Sequence, residues 1–274
     1  MRSPFALLLT AALLCPAPFA RADLKDAARK TLTRYGPALV TVRLTTRTRI
    51  VYQGKERTIP ESTMDVEGTV LSADGLTVLS DFASNPGGAL KHEGGPQMQT
   101  ETSAVKLLLQ DGRELPARVV LRDPDLDLAF VAPQDPQTAL AFVKFEKGPV
   151  PEPLDDLIVL SQLGRSLGRE VAVTLTRVRA VLKKPRTFVV PSALEGLLGL
   201  GGPAFDDRGR PVGLIVMRRT AHPSADFQGL NDVFDLVSAV VLSASDVQEM
   251  AEQAAAARAR PVTPDEASEA APAP

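Results

Sequence analysis

The chain has 274 residues, 44% hydrophobic and 23% charged, with 31 Lys and Arg against 33 Asp and Glu. That balance excludes a collagen, a coiled coil and a wholly disordered chain, and it leaves length for one large or two small cores. A single cysteine, two histidines and no tryptophan leave too few ligands or nucleophiles for a zinc site, a disulfide framework or a Cys/His catalytic pair. Aromatic residues are 4%, whereas 19 glycines and 23 prolines suit many short strands and tight turns.

Residues 1–22 (MRSPFALLLTAALLCPAPFARA) combine Arg2, an apolar run from Phe5 to Leu14 and an Ala20-Arg21-Ala22 cleavage pattern, the arrangement of a secretory signal peptide. The run is shorter than the roughly 20 apolar residues a membrane-spanning helix needs, and no membrane span is expected elsewhere. Cys15 follows Leu14, where a lipid-attachment signal needs a small residue, so cleavage near Ala22 is expected to release an exported, cysteine-free chain, periplasmic or secreted. Subtracting Arg2 and Arg21 from the 31 basic residues leaves 29 against 33 acidic ones, a net charge of −4. With no basic run and no aromatic platform, neither nucleic acid nor an anionic membrane is an expected partner.

Residues 23–36 read as an N-terminal helix: DLKDAARKTLTRY has helical spacing, and Gly36-Pro37 ends it as a glycine C-cap. From residue 37 to 132 the pattern turns to period two and β-branched residues: ALVTVRLTT, EGTVLSADGLTVLSDF, AVKLLLQDGRELPARVVLRD and DLAFVAP. Asp74-Gly75 and Asp111-Gly112 are hairpin turns. Residues 85–104, rich in glycine and polar groups, read as a long surface loop, and 133–153, with five prolines, as a linker. Residues 154–243 resume the strand rhythm (DLIVLSQLG, REVAVTLTRVRAVLKK, RTFVVPS, PAFDDRGRPVGLIVMRRT), with a hairpin at Asp207-Arg208-Gly209. Residues 244–259 form a C-terminal helix with a capping box from Ser245 to Gln248. The Pro/Ala/Glu-rich tail 260–274 lacks the apolar content to order itself. The expected fold is all-β, two packed six-stranded barrels with short helices at both ends.

Three segments, in chain order, resemble the HtrA/Deg branch of the trypsin-like serine proteases. Residues 68–82 (GTVLSADGLTVLSDF) are similar to the stretch leading to the family's catalytic histidine. Residues 108–129 (LLQDGRELPARVVLRDPDLDLA) are similar to the stretch ending in the Asp-Leu-Ala of the catalytic aspartate, and GLGGPAF at 199–205 with DRGRPVGLI at 207–215 to the nucleophile loop and the hairpin after it. The resemblance implies a trypsin-like double barrel with no cofactor and no metal. It places Asp127 at the triad aspartate, but Phe82 at the histidine position and Leu200 at the serine position. The triad aspartate orients and stabilises the histidine and attacks nothing by itself, so two vacancies leave no acyl-enzyme route. The oxyanion loop maps to Leu198, Gly199, Gly201 and Gly202; aligned without gaps, Leu198 replaces a glycine, and with a loop one residue shorter Gly199 takes the glycine role and Gly201 the serine role. Neither alignment supplies a hydroxyl.

Few residues are available as stand-ins. His92 belongs to the 85–104 loop, His222 follows Arg218-Arg219-Thr220-Ala221, and Ser192 is eight residues before Leu200. The two histidines read more simply as surface groups, Ser192 is too far along the chain to occupy the nucleophile turn, Asp125 beside Asp127 lacks the company of a metal site, and Asp206 and Asp207 are turn residues. Phe82 and Leu200 are expected to pack together across the cleft, each burial contributing about 1.5–3 kcal/mol. The favoured function is therefore an exported, proteolytically inactive homologue that binds a peptide or protein partner. An active endopeptidase with a non-standard triad using His92 or His222, and a structural envelope protein, are the alternatives. The family's usual PDZ module has no counterpart after the C-terminal helix in this reading, and the N-terminal helix is a candidate oligomerisation element.

Overall fold

The structure, a computed structural model, describes residues 24–52, 55–85, 97–135, 139–148, 150–192, 199–219 and 237–259. The first barrel closes in the order β1-β2-β3-β6-β5-β4 from β1 (Leu39–Tyr52), β2 (Lys55–Val70), β3 (Thr77–Ser80), β4 (Gln97–Leu108), β5 (Glu114–Asp123) and β6 (Leu128–Pro133). The second closes as β10-β11-β12-β9-β8-β7 from β7 (Asp156–Gln162), β8 (Val171–Leu182), β9 (Phe188–Pro191), β10 (Pro203–Asp206), β11 (Pro211–Arg219) and β12 (Val237–Ser243). Every strand pair is antiparallel. The anticipated all-β double barrel is thus the observed fold. Gly75, Gly112 and Gly209 all take positive φ in the three predicted hairpin turns.

Among the described residues three helices accompany the barrels: α1 (Leu24–Tyr35), α2 (Asp81–Ser84) and α3 (Ala244–Ala259). α1 buries Ala28, Thr31 and Tyr35, and Tyr35 stacks on Phe205 of β10 with ring centroids 4.9 Å apart. The N-terminal helix therefore docks on its own second barrel. α3 buries Ala244, Val247, Met250 and Ala254, a three-to-four-residue spacing that makes one apolar stripe. It straps the two barrels together. Its first turn is held by Arg186 on Asp246 at 2.9 Å, while at its other end Arg258 reaches Asp74 at 2.7 Å and Arg118 donates to the Arg258 carbonyl.

Four expectations need correction. Gly36 is not a left-handed C-cap, because the chain continues through a 3-10 turn, Gly36–Ala38, before β1. The cap of α3 is Ser243, not Ser245: its Oγ accepts from the Asp246 N–H at 3.2 Å and donates to Asp246 Oδ2 at 2.5 Å, because β12 runs straight into the helix. The third concerns the loop expected over 85–104, whose last eight residues belong to β4, paired with β1 through Val51↔Gln97. There β1, β2 and β4 extend past the barrel, and with exposed polar residues such as Arg47, Arg49, Glu61 and Glu101 the ribbon has no apolar alternation to betray it. Finally, the chain after Ser80 leaves the expected strand for the short helix α2, capped by the Ser80 hydroxyl. Within the proline-rich 133–153 stretch, Leu140, Val143 and Phe145 are buried, and Val143 donates its N–H to the Val70 carbonyl. Residues 140–145 are thus packed along the first barrel.

Candidate functional site

At the seam between the barrels Phe82 is hydrogen-bonded to Asp127 and packs against the apolar cluster that contains Leu200. Asp127 ends the tight turn from β5 to β6 in a left-handed conformation, φ 59°, which aspartate tolerates better than most residues. Its side chain is buried, and both carboxylate oxygens are occupied by donors of the same chain. Oδ1 accepts from the Phe82 backbone N–H at 2.6 Å; Oδ2 accepts from the Ser80 hydroxyl at 2.8 Å and the Met217 backbone N–H at 2.6 Å. Met217 lies on β11, so this carboxylate ties the second barrel to the first. Burial pushes the Asp127 carboxyl up to about 6, against the pull of its three donors.

Phe82 sits in α2, whose frame is rigid for a helix of four residues. Ser80 Oγ accepts from the Ala83 N–H while donating to Asp127, and Arg122 donates to Asp81 at 2.5 Å and to Ser84 at 3.0 Å. From this frame Phe82, half-buried, packs against the apolar cluster of the second barrel that contains Leu200, Val159, Ala204, Ile215 and Met217. Leu200 is itself buried. Where the resemblance implies an imidazole and a hydroxyl, the seam holds two hydrocarbon side chains in one apolar cluster.

The glycine loop beside Leu200 is locked against both barrels. Gly201 donates its N–H to the Ile215 carbonyl at 2.8 Å, and its carbonyl accepts from the buried Thr69 hydroxyl at 2.7 Å. Gly202 donates to the Gly199 carbonyl at 2.9 Å. The amide hydrogens of both glycines thus already serve the chain's own carbonyls. Gly201 has φ +91°, and a β-carbon on it would lie 2.7 Å from the Glu67 carbonyl oxygen, so no serine fits there without moving β2. This favours Leu200 over Gly201 as the counterpart of a nucleophile. Gly199 also takes positive φ, +87°, while Leu198 lies outside the described residues, as do His92 and His222.

The remaining candidates lie apart. Ser192 is exposed just past β9, and Asp125 is exposed on the turn before Asp127. Asp206 accepts from the N–H groups of Arg208 and Arg210, both at 2.9 Å, as a turn residue would. Sequence reasoning missed Ser80, Thr69, Met217 and above all Glu67, which contact the seam from inside strands. Only Ser80, three residues before Ala83, carries a helix-cap signal. A groove of about 680 Å³ lies elsewhere, between α1, the β4–β5 hairpin and the β7–β8 connection, lined in part by Leu32, Pro37, Gln110, Glu114 and Arg169.

Among known proteins, residues 66–214 match the trypsin-like peptidase domain. No curated protein matches the chain.

Proposed function

The chain belongs to the trypsin-like peptidase domain family, and from that premise we propose that it is a proteolytically inactive, HtrA/Deg-like member that works by binding a peptide or protein. The carrying observation is the state of Asp127: its oxygens are engaged by Phe82 N–H, Ser80 Oγ and Met217 N–H, and the side chains of Phe82 and Leu200 belong to one apolar cluster. In a triad the imidazole takes the proton of the nucleophilic hydroxyl, and the carboxylate orients that imidazole and stabilises the imidazolium. Phe82 and Leu200 can neither take nor give a proton. The three donors instead fit a carboxylate that has become a bracket between barrels.

Export completes the proposal, resting on the N-terminal pattern of residues 1–22. Among the described residues no helix is long and apolar enough to cross a membrane. α1 presents Lys25, Asp26, Lys30 and Arg34 outward, the surface through which copies would meet if the protein oligomerises. The reading is tested by treating the processed chain with a fluorophosphonate probe, followed by mass spectrometry, beside a binding titration with an unfolded polypeptide. Expected are no labelled serine, saturable binding and an N-terminus at Asp23. A labelled serine would overturn inactivity, and absence of any polypeptide binding would favour the purely structural alternative.

A further inference from the structure

The seam holds a second buried carboxyl that the triad comparison leaves unused. Glu67, on β2, has Oε2 accepting from the Gln162 backbone N–H at 2.9 Å, while Oε1 is inaccessible to solvent and has no hydrogen-bond partner among the described residues. Two backbone carbonyl oxygens share with Oε1 the space beside Gly202. A β-carbon placed on Gly202 would lie 2.5 Å from the Leu160 carbonyl oxygen, 2.6 Å from Glu67 Oε1 and 3.0 Å from the Gly199 carbonyl oxygen. Three oxygens therefore crowd one side of Gly202, with no hydrogen donated to Oε1.

Among the described residues no cation offsets a charge on this carboxyl. Two positions along the same face of β2, Asp65 binds Arg43 at 2.7 Å and Arg169 at 2.6 Å, so both of those cations are paired with Asp65, although the Arg169 Nε is buried without a partner among the described residues. Facing Glu67 from β1 is Thr41, whose hydroxyl is committed to the Gln162 side chain at 2.6 Å. β7 contributes Leu160 and Gln162, β3 contributes Leu79 opposite Gly68, and the loop contributes Gly199, Gly201 and Gly202. None of these is titratable. An ionised Glu67 would set a full negative charge against two carbonyl dipoles, a costly arrangement at low dielectric. A neutral carboxyl turns Oε1 from a third acceptor into a donor.

We propose that Glu67 is a proton lock: held as the neutral acid, it donates from Oε1 to the Gly199 carbonyl and pins the Gly199–Gly202 loop to β2, and loss of that proton to solvent releases the loop. Burial acts in the same direction, pushing the Glu67 carboxyl up to about 8. The lock is independent of whether the chain cleaves or binds peptides. It makes the seam alkali-sensitive by construction, since one proton decides whether three oxygens attract or repel.

Two measurements on the full processed chain test it. Carboxyl titration of carbon-13-labelled glutamate by NMR, assigned with Glu67→Gln, is expected to show Glu67 protonated through neutrality; titration in the ordinary glutamate range would overturn the lock. Hydrogen-exchange protection of the Gly201 and Gly202 amides, corrected for intrinsic rates, is expected to fall about tenfold or more between neutral and mildly alkaline pH in the wild type. In Glu67→Gln, whose amide keeps a donor beside the carbonyls, the protection is expected to stay constant. Equal alkaline loss in both proteins would also overturn the proposal. If Glu67→Gln does not fold, the wild-type titration, assigned through its contacts to Gln162, decides alone.

Discussion

Asp127 and Glu67 are both carboxyls buried between the barrels, and they are solvated by the protein in opposite ways. Asp127 receives three hydrogen bonds on its two oxygens, from Phe82, Ser80 and Met217; Glu67 receives one on Oε2 and leaves Oε1 among carbonyls. Burial raises both, but Asp127 only to about 6 and Glu67 to about 8. Deeper burial and a smaller donor set both push Glu67 higher than Asp127. One is built to be an anion near neutrality and the other to keep its proton.

The largest expected effect comes from breaking the better-solvated member. Asp127→Ala would leave two backbone N–H groups and a hydroxyl unpaired at the seam, and is expected to cost about 3–5 kcal/mol in urea denaturation, as removal of one side of a buried charged network does. A loss below about 1 kcal/mol would mean that the bracket is not structural. Leu200→Ala tests the apolar half of the same seam; for a buried leucine a loss of about 2–5 kcal/mol is expected. A neutral result there would place Leu200 outside the packed cluster.

The pH dependence follows from both carboxyls with one sign. Each has a folded value above its ordinary one, so the native state binds the proton more tightly than the unfolded chain. Their contribution is present in full below about pH 4 and is lost as pH rises, through about 6 for Asp127 and about 8 for Glu67. Asp65 runs the other way, since Arg43 first and Arg169 second hold it down to about 2; its contribution is present above about pH 4 and is lost as pH falls towards 2. Thermal melts are thus expected to show stability declining from about pH 5 to 8, and a rise over that window would contradict the assignment. The smallest effect is expected from Arg169→Ala. That pair joins the barrels at their partly exposed rim and leaves Arg43 on Asp65, so a loss within about 1 kcal/mol is expected.

The contrast also marks what could be read from the residues alone. The barrels were legible because apolar alternation and Asp-Gly turns follow local rules, and Asp127 because Asp-Leu-Ala closes a long ordered match. Glu67 was not, since an acid two positions from Thr69 in a strand reads as solvent-facing until the second barrel covers it. The outer parts of β1, β2 and β4 were missed for the opposite reason: polar on both faces, they owe their strand geometry to each other's backbones and not to a core. The packing of Phe82 with the cluster of Leu200 was foreseeable in kind, but the engagement of Asp127 by Met217 N–H depends on how β11 meets the first barrel, which no local pattern encodes.

The central claim is that a catalytic cleft has become a structural seam, and hydrolysis tests it most directly. The processed chain, at a concentration where a trypsin-like enzyme would clear an unfolded protein substrate, is to be incubated with one between pH 6 and 9. The account predicts cleavage no faster than in buffer throughout. Cleavage that a fluorophosphonate abolishes would contradict it.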